Sequence, residues 1–264
     1  MAEIITDADL VNKFAERINQ ESTVVEVKTQ EPEDTTITLP GGYLAIGKDV
    51  VKTAEVRELT GADEEAIAKS GSISRSLNTL LSRGLVKIGN EEVTSTHLEN
   101  LLSGDRDAIL IAIRRVTFGS EFDLIIRCPQ CTEQQGCSID LVKDIPVKTL
   151  DKPEDRTWKV KTKLGELIVT LPTGNTQKKL MDNSEKTSAE VNTILLGECI
   201  VSLQDSLLIG SQIALQLGMA DRIKLLNEIL ERNPGPRLGE VKKSCKACEA
   251  EIPLPLGLTD LFRL

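Results

Sequence analysis

The chain carries two matched pairs of cysteines, Cys128 with Cys131 and Cys245 with Cys248. The C-x-x-C spacing lets a tight turn direct two thiolates at one ion, and two such turns complete a tetrahedral four-cysteine site of the kind that holds structural zinc. Because one pair lies in the middle of the chain and the other near its end, a shared Zn²⁺ would join two distant segments. We therefore predict a structural zinc site with these four ligands.

The residues alone leave other cysteine chemistries open, namely buried reduced thiols or a redox-active disulfide. Two C-x-x-C pairs in a protein of a reducing cytosol favour a metal over both. Cys137 could replace one of the four ligands, whereas Cys199 lies in an apolar segment and is expected in the core. A catalytic zinc is not favoured, because such sites keep an open position and usually recruit histidine or glutamate.

The composition restricts the remaining function classes. The 264 residues include one histidine, His97, so any mechanism that needs histidine would depend on that side chain. The sequence contains no phosphate-binding glycine loop and no carboxylate pair with a spacing typical of acid–base catalysis, and we expect a protein that is not an enzyme. The net charge of −9 argues against general affinity for nucleic acid or an anionic membrane. No apolar run reaches the ~18 residues of a membrane helix, and the N-terminus shows no signal peptide.

Strands are expected around each cysteine pair. From residue 122 the hydrophobic period changes to two, which predicts a strand over 122–128 that leads into the first pair and a return strand over 136–141. A further strand over 238–243 leads into Cys245. Strand, cysteine turn and strand form the element of a zinc ribbon. A second hairpin is predicted from residues 158–163 and 166–171.

Helical patterns occupy most of the remaining chain. They are predicted over residues 8–18, 53–70, 72–83, 96–102, 105–118, 175–183, 187–203, 205–217 and 219–232. Gly61 interrupts the segment 53–70, so two short helices are an equal alternative there. Gly104 is expected to end one helical turn, and Asp105 to start the strongest helix of the chain. The charged run Asp105-Arg106-Asp107 of that helix, with the arginines at its other end, is expected either to bind a partner or to form ion pairs within the fold. In the last helix, Ile223, Leu226, Ile229 and Leu230 lie on one face.

These elements predict an α+β fold in which a four-cysteine zinc-ribbon β element joins a helical N-terminal half and a helical C-terminal insertion. The predicted regions are an N-terminal helical arm and linker (1–38), a helical N-terminal region (39–120), a β and zinc-ribbon region (121–172 and 237–264) and a helical insertion (173–236). The arm is either a frayed terminal helix or a segment that docks on a partner.

Several segments carry a resemblance to a known family. They are residues 53–60, 102–119, 128–131, 171–174 and 245–257. Over about residues 39–264 the sequence is similar to the T4-type tailed-bacteriophage baseplate hub and tail-assembly protein family. The most specific part is the Gly-Asp-Arg-Asp helix followed closely by the Cys-Pro-x-Cys turn. The family usually has glycine after the second cysteine of each turn, where a left-handed backbone is easiest. This chain has Thr132 and Glu249 there, and its second turn lacks the proline.

The resemblance implies a non-enzymatic protein of a contractile-tail baseplate, which either builds the hub or wedge region or acts as a chaperone in its assembly. The partners would be other baseplate and hub proteins, with a homo-oligomer within the assembly as a further expectation, and no nucleic acid or membrane. The protein would be found in the host cytoplasm during assembly and in the tail baseplate of the virion.

Two other functions remain as alternatives. The first is a zinc-ribbon binding module for nucleic acid or a transcription complex, against which the acidic charge and the aromatic content of 2% argue. The second is a thiol oxidoreductase, which needs one reactive C-x-x-C pair with a lowered cysteine pKa.

Overall fold

The computed structural model describes residues 35–44, 49–204, 210–254 and 256–262. The chain divides into two compact units, Met1–Glu33 and Asp34–Leu264, and the described residues all belong to the second. The helix predicted over 8–18 therefore lies outside the described residues. Within them, helices combine with small antiparallel sheets, which confirms the mixed α+β class.

The described helices are α1 (Gly61–Ala68), α2 (Ile73–Gly84), α3 (Ser95–Asn100), α4 (Ser103–Phe118), α5 (Gly174–Met181), α6 (Ser188–Cys199), α7 (Gly210–Gln216), α8 (Met219–Arg232) and α9 (Leu258–Phe262). The described strands are β1 (Thr36–Leu44), β2 (Val50–Val56), β3 (Leu85–Ile88), β4 (Glu91–Glu92), β5 (Glu121–Arg127), β6 (Gln134–Asp140), β7 (Val147–Lys148), β8 (Thr157–Thr162), β9 (Gly165–Thr170), β10 (Ile200–Leu203), β11 (Gly235–Pro236), β12 (Lys242–Ser244) and β13 (Glu251–Pro253).

A first core lies between helices α2 and α4 and a four-stranded sheet in the order β1-β2-β3-β4. The predicted helix over 53–70 is wrong in its first part, because residues 53–56 belong to β2. Ala54 and Val56 are buried while Glu55 between them is not, which is the period of a strand. Helix α1 begins only at Gly61, where Thr60 and Asp63 form a capping box.

Helix α4 begins earlier than the sequence indicates. Gly104 does not end the preceding helical turn but lies inside the first turn of α4, which starts at Ser103. A Cβ atom at Gly104 would overlap the carbonyl oxygen of Pro234, in the segment that follows α8. The glycine is therefore required by a close approach of two backbones and not by the end of a helix.

The charged run at the start of α4 is used inside the fold. The backbone N–H of Gly41 donates to Asp105 Oδ1 at 2.6 Å. Arg106 Nε donates to Gln177 Oε1 at 2.6 Å, and Arg106 Nη1 donates to the carbonyl oxygen of Leu98 at 2.7 Å. Asp105 and Arg106 are buried, so these bonds tie α4 to β1, α3 and α5 and are not available to a partner.

The carboxyl group of Asp105 has a raised pKa. Burial raises the pKa of Asp105 to about 6, although the backbone N–H of Gly41 and the charge of Arg156 favour the ionised form. An aspartate in an unfolded chain titrates near ~3.9. The stabilisation from protonated Asp105 is therefore complete below about pH 4 and is lost as the pH rises through about 6.

The substitution Asp105→Asn keeps an oxygen for the Gly41 N–H but cannot titrate. Relative to this variant, we expect the wild-type protein to gain about 2 kcal/mol of unfolding free energy when the pH falls from about 7.5 to about 4.5. Urea unfolding of both proteins in the same buffers measures this difference, because effects of pH on other groups are common to both. An identical pH dependence of the two proteins would contradict the assignment.

Another core lies between the β8–β9 hairpin and helices α6, α7 and α8, with β10 as the third strand of the sheet. The predicted helix over 187–203 is wrong at its end, because α6 stops at Cys199. Ile200 pairs with Val169, and Val201 is exposed while its two neighbours are buried, as in a strand. Part of the helix predicted over 205–217 lies outside the described residues, and α7 begins at Gly210.

The buried face of α8 differs from the apolar face seen in the sequence. Leu225 and Ile229 are 0% and 1% exposed, whereas Ile223 and Leu230 are 56% and 59% exposed. Apolar residues cover two sides of this helix, so their spacing alone does not determine which side packs.

The C-terminal segment packs back onto α4. Among the described strands, β13 pairs with β12 alone, which fits a segment that its prolines restrict to a sheet edge. Helix α9 was not predicted, and Arg114 Nε of α4 donates to the carbonyl oxygen of Leu261 at 2.9 Å. This bond holds α9 against α4, and Leu261 packs in one apolar cluster with residues of β5, β6 and β13.

Candidate metal centre

Each cysteine pair lies in the turn of a two-stranded hairpin. Strands β5 and β6 run antiparallel, and beyond them the Cys128 N–H donates to the carbonyl oxygen of Glu133 at 2.9 Å. Strands β12 and β13 do the same, with the Cys245 N–H donating to the Ala250 carbonyl oxygen at 2.8 Å. The strands predicted over 122–128 and 136–141 are confirmed. The strand predicted over 238–243 starts only at residue 242, because Leu238–Glu240 form a 3-10 turn.

The two cysteine turns have the same backbone geometry. The Thr132 N–H donates to the Cys128 carbonyl oxygen at 3.0 Å, and the Glu249 N–H donates to the Cys245 carbonyl oxygen at 2.9 Å. Thr132 has φ of 64° and Glu249 has φ of 60°. Both residues that replace the family's usual glycine are therefore left-handed, a conformation that costs an L-residue about 1–2 kcal/mol.

Replacing either residue by glycine should relieve this strain. We expect Thr132→Gly to raise the free energy of unfolding by about 1 kcal/mol and Glu249→Gly by somewhat less, because a β-branched residue tolerates this region worst. Chemical denaturation of the zinc-loaded proteins measures the effect. Gln130→Gly in the first turn, where φ is not positive, is the control and should not stabilise. Destabilisation by both glycine variants would contradict the strain.

The four sulfurs converge on one point. Cys128 Sγ lies 3.7 Å from Cys248 Sγ, and Cys131 Sγ lies 3.6 Å from Cys245 Sγ. All four sulfurs lie within 4.8 Å of one another. Zinc–sulfur bonds of about 2.3 Å in a tetrahedron require sulfur–sulfur distances of about 3.8 Å. A disulfide would require about 2.05 Å, and all four cysteines are free thiols. The donor set and its spacing therefore fit zinc.

The proton affinities of these thiols differ strongly. The backbone N–H of Cys131, with that of Gln130, lowers the pKa of Cys128 to about 7. The backbone N–H of Ala250 favours the Cys248 thiolate, but desolvation and the neighbouring sulfurs outweigh it and raise the pKa of Cys248 to about 12. A second thiolate is unfavourable beside the first, and a divalent cation would remove this repulsion.

Contacts outside the sulfurs also hold the two hairpins together. The Lys246 N–H donates to Gln135 Oε1 at 2.7 Å, and Gln135 Nε2 donates to the Ser244 carbonyl oxygen at 3.2 Å. Lys243 Nζ lies 2.6 Å from a carboxylate oxygen of Asp144. The sequence gives no sign of this role of Gln135, because nothing in its local pattern marks a side chain that bridges two hairpins.

The four sulfurs lie at one end of an apolar cluster. Cys128 and Cys245 are buried in it, whereas Cys131 and Cys248 are exposed. The cluster combines residues from both hairpins and α9, among them Phe122, Ile139 and Ile252. The cysteines thus lie between a small core and solvent, with the hairpins on either side.

The other candidate residues lie apart from the four sulfurs. Cys137 is outside this group, and its Sγ lies 3.8 Å from the carbonyl oxygen of Ser138. Cys199 is in the core between the β8–β9 hairpin and helices α6, α7 and α8, as expected, and burial raises its pKa to about 12. His97 Nδ1 accepts the Thr94 N–H at 3.1 Å in the capping box of α3, which is a structural role.

The two cysteine hairpins lie within a region that matches a known protein family. A family model described as T4 bacteriophage base plate protein matches residues 35–263. No curated protein and no solved structure matches the chain. The matched range contains both cysteine hairpins and helix α4, and it covers most of the sequence, so the resemblance noted from the sequence is confirmed. The chain belongs to the T4 bacteriophage base plate protein family.

Proposed function

We propose that this baseplate protein is a non-enzymatic structural or assembly component of a contractile-tail baseplate hub, stabilised by a structural Zn²⁺. The observation that carries the proposal is the convergence of four sulfurs, within 4.8 Å, from two hairpins far apart in sequence. Family membership supports the baseplate part of the proposal.

The four cysteines would hold the metal as a zinc ribbon. Cys128 and Cys131 supply two thiolates from the β5–β6 hairpin, and Cys245 and Cys248 supply two from the β12–β13 hairpin. When bound, zinc supplies four strong bonds and no reaction site, since protein sulfur would occupy every tetrahedral position. The metal would then hold both ends of the chain between the two cysteine hairpins. This part of the chain includes the core of the β8–β9 hairpin and helices α6, α7 and α8.

The partners and location follow from the family. We propose that other baseplate and hub proteins bind this chain, in the host cytoplasm during assembly and in the tail baseplate. None of the described helices has the length and apolar composition that crossing a membrane requires. No observation favours the nucleic-acid module, and the net charge of −9 argues against it. The division into regions 1–38, 39–120, 121–172 with 237–264, and 173–236 stays a prediction.

Assembly in the presence and absence of the cysteine site tests the proposal. Wild-type protein and the variant with Cys245→Ser and Cys248→Ser are each produced with the phage's other tail proteins, and mass spectrometry measures the protein in baseplates and in finished particles. We expect wild-type protein in baseplates, and much less of the variant. Cys137→Ser is the matched control and should behave as wild type. Absence of the wild-type protein from every assembly intermediate would overturn the proposal.

A further inference from the structure

Within the part of the chain that the structure describes, strand β5 has one backbone edge without a partner. It belongs to a two-stranded sheet with β6 alone. The Cys128 N–H pairs with Glu133 and the Leu141 N–H with Ser120, so the even-numbered residues of β5 direct their backbone groups at β6. By alternation, Asp123, Ile125 and Arg127 direct theirs outward, where no hydrogen bond with another described residue is found.

The open edge is on β5 and not on β6. Lys246 Nζ donates to the carbonyl oxygen of Gly136, which points outward from β6. The β12–β13 hairpin therefore covers that side of β6. On the side of β5 there is a groove of about 690 Å³. Besides β5, the groove is lined by Ile73, Leu254, Leu256, Thr259 and Asp260. A strand can therefore approach β5 along this groove.

The outer face of β5 is self-complementary. Asp123, Ile125 and Arg127 follow one another at two-residue spacing on the same face, which places an acid, an apolar residue and a base in a row. Ile125 is 80% exposed. Exposed edge strands usually carry lysine, proline or a bulge at such a position, which prevents pairing, and β5 has none of these at its centre.

We propose that β5 pairs antiparallel with β5 of a second copy of this chain, about a two-fold axis at Ile125. In this register Ile125 faces the partner's Ile125, and Asp123 faces the partner's Arg127 on both sides of the axis. Odd-numbered residues of the two strands face each other, and their backbone groups are the ones that point away from β6. Asp123, Ile125 and Arg127 therefore each exchange both backbone hydrogen bonds with the partner strand. The two hairpins become one sheet in the order β6-β5-β5-β6.

The charges and the central isoleucine together favour this register, and they favour a second copy of the chain as the occupant. Cross-strand neighbours of opposite charge stabilise a sheet, and like charges directly opposite destabilise it. A shift of the pairing centre by one residue toward the N-terminus opposes Asp123 to Ile125, so the Ile125–Ile125 contact is lost, while Glu121 takes the place of Asp123 opposite Arg127. A C2 interface needs the same surface on both copies, and the acid–apolar–base row provides it.

Charge reversal tests the pairing. Zinc-loaded full-length protein is studied by sedimentation velocity from about 1 to about 300 μM, the range of a small interface. We expect a concentration-dependent dimer. Asp123→Arg should weaken it at least about tenfold, because arginine then faces arginine. Combining Asp123→Arg with Arg127→Asp should restore the dimer to within about threefold. The zinc content of each variant is measured, because Arg127 adjoins Cys128.

A backbone variant tests the edge directly. Ile125→Pro removes an outward N–H but no bond to β6, so we expect a monomer with an intact hairpin. Ile125→Lys should also give a monomer, whereas Met219→Lys, at a residue that is likewise 80% exposed, should leave the dimer unchanged. A monomer at every concentration, or a dimer that Asp123→Arg and Ile125→Pro do not affect, would overturn the proposal. Binding of another protein's strand to a monomeric chain would also overturn it.

Discussion

Loss of the metal is expected to release the C-terminal segment from the rest of the chain. Structural zinc binds to peptide sites with about 10–16 kcal/mol at pH 7, which equals or exceeds the whole stability of about 5–15 kcal/mol of a typical domain. The apolar cluster beneath the sulfurs is small and itself contains Cys128 and Cys245, so it cannot replace that contribution. We therefore expect chelation to lower the melting temperature and to open the β12–β13 hairpin.

Limited trypsin digestion with mass spectrometry measures the release. Cleavage is expected after Lys242, Lys243 and Lys246 in the chelated protein, and equally in the variant with Cys245→Ser and Cys248→Ser. Cys137→Ser, outside the four-sulfur group, is the matched control and should stay resistant. Unchanged melting and protease resistance after complete removal of zinc would contradict the prediction.

The second large effect is expected from Gly104→Ala. The added Cβ would overlap the carbonyl oxygen of Pro234 and come within 3.1 Å of the Gly235 Cα, and neither of these backbone atoms can turn away as a side chain can. We expect a loss of about 4 kcal/mol or more of unfolding free energy, or no folded protein. Denaturation in urea measures the change.

Gly61→Ala provides the control for this substitution. Gly61 is also in the first turn of a helix, but its added Cβ would meet no atom within 4 Å. Alanine has the higher helix propensity, so the control should be neutral or more stable by up to about 1 kcal/mol. A Gly104→Ala protein within about 1 kcal/mol of wild type would show that the close approach of α4 to the 234–236 segment is not required.

Local patterns predicted the parts of the fold that depend on neighbours in sequence. The two cysteine turns, the β5–β6 hairpin and the body of α4 are of this kind, because turn chemistry, period and helix-end residues each act within a few positions. The left-handed backbone of Thr132 and Glu249 was not predicted. The sequence indicated them as departures from the glycine that the family usually has there.

The parts that the sequence did not predict depend on distant residues. The segment 53–56 mixes the helix formers Ala54 and Glu55 with two β-branched residues, and pairing with β1 and β3 makes it a strand. β10 is likewise determined by pairing with β9. Gly104 resembled a helix stop, because the segment at Pro234 that excludes a side chain there lies far along the chain. Gln135 bridges the hairpins through an amide that has no sequence signature.

Native mass spectrometry of the purified protein counts the Zn²⁺ ions that each chain binds, and so decides whether the four sulfurs hold a metal. We expect one Zn²⁺ for each wild-type chain, and none when either Cys128 and Cys131 or Cys245 and Cys248 are replaced by serine. A wild-type chain without metal, or zinc that stays bound after one pair has been replaced, would contradict this expectation.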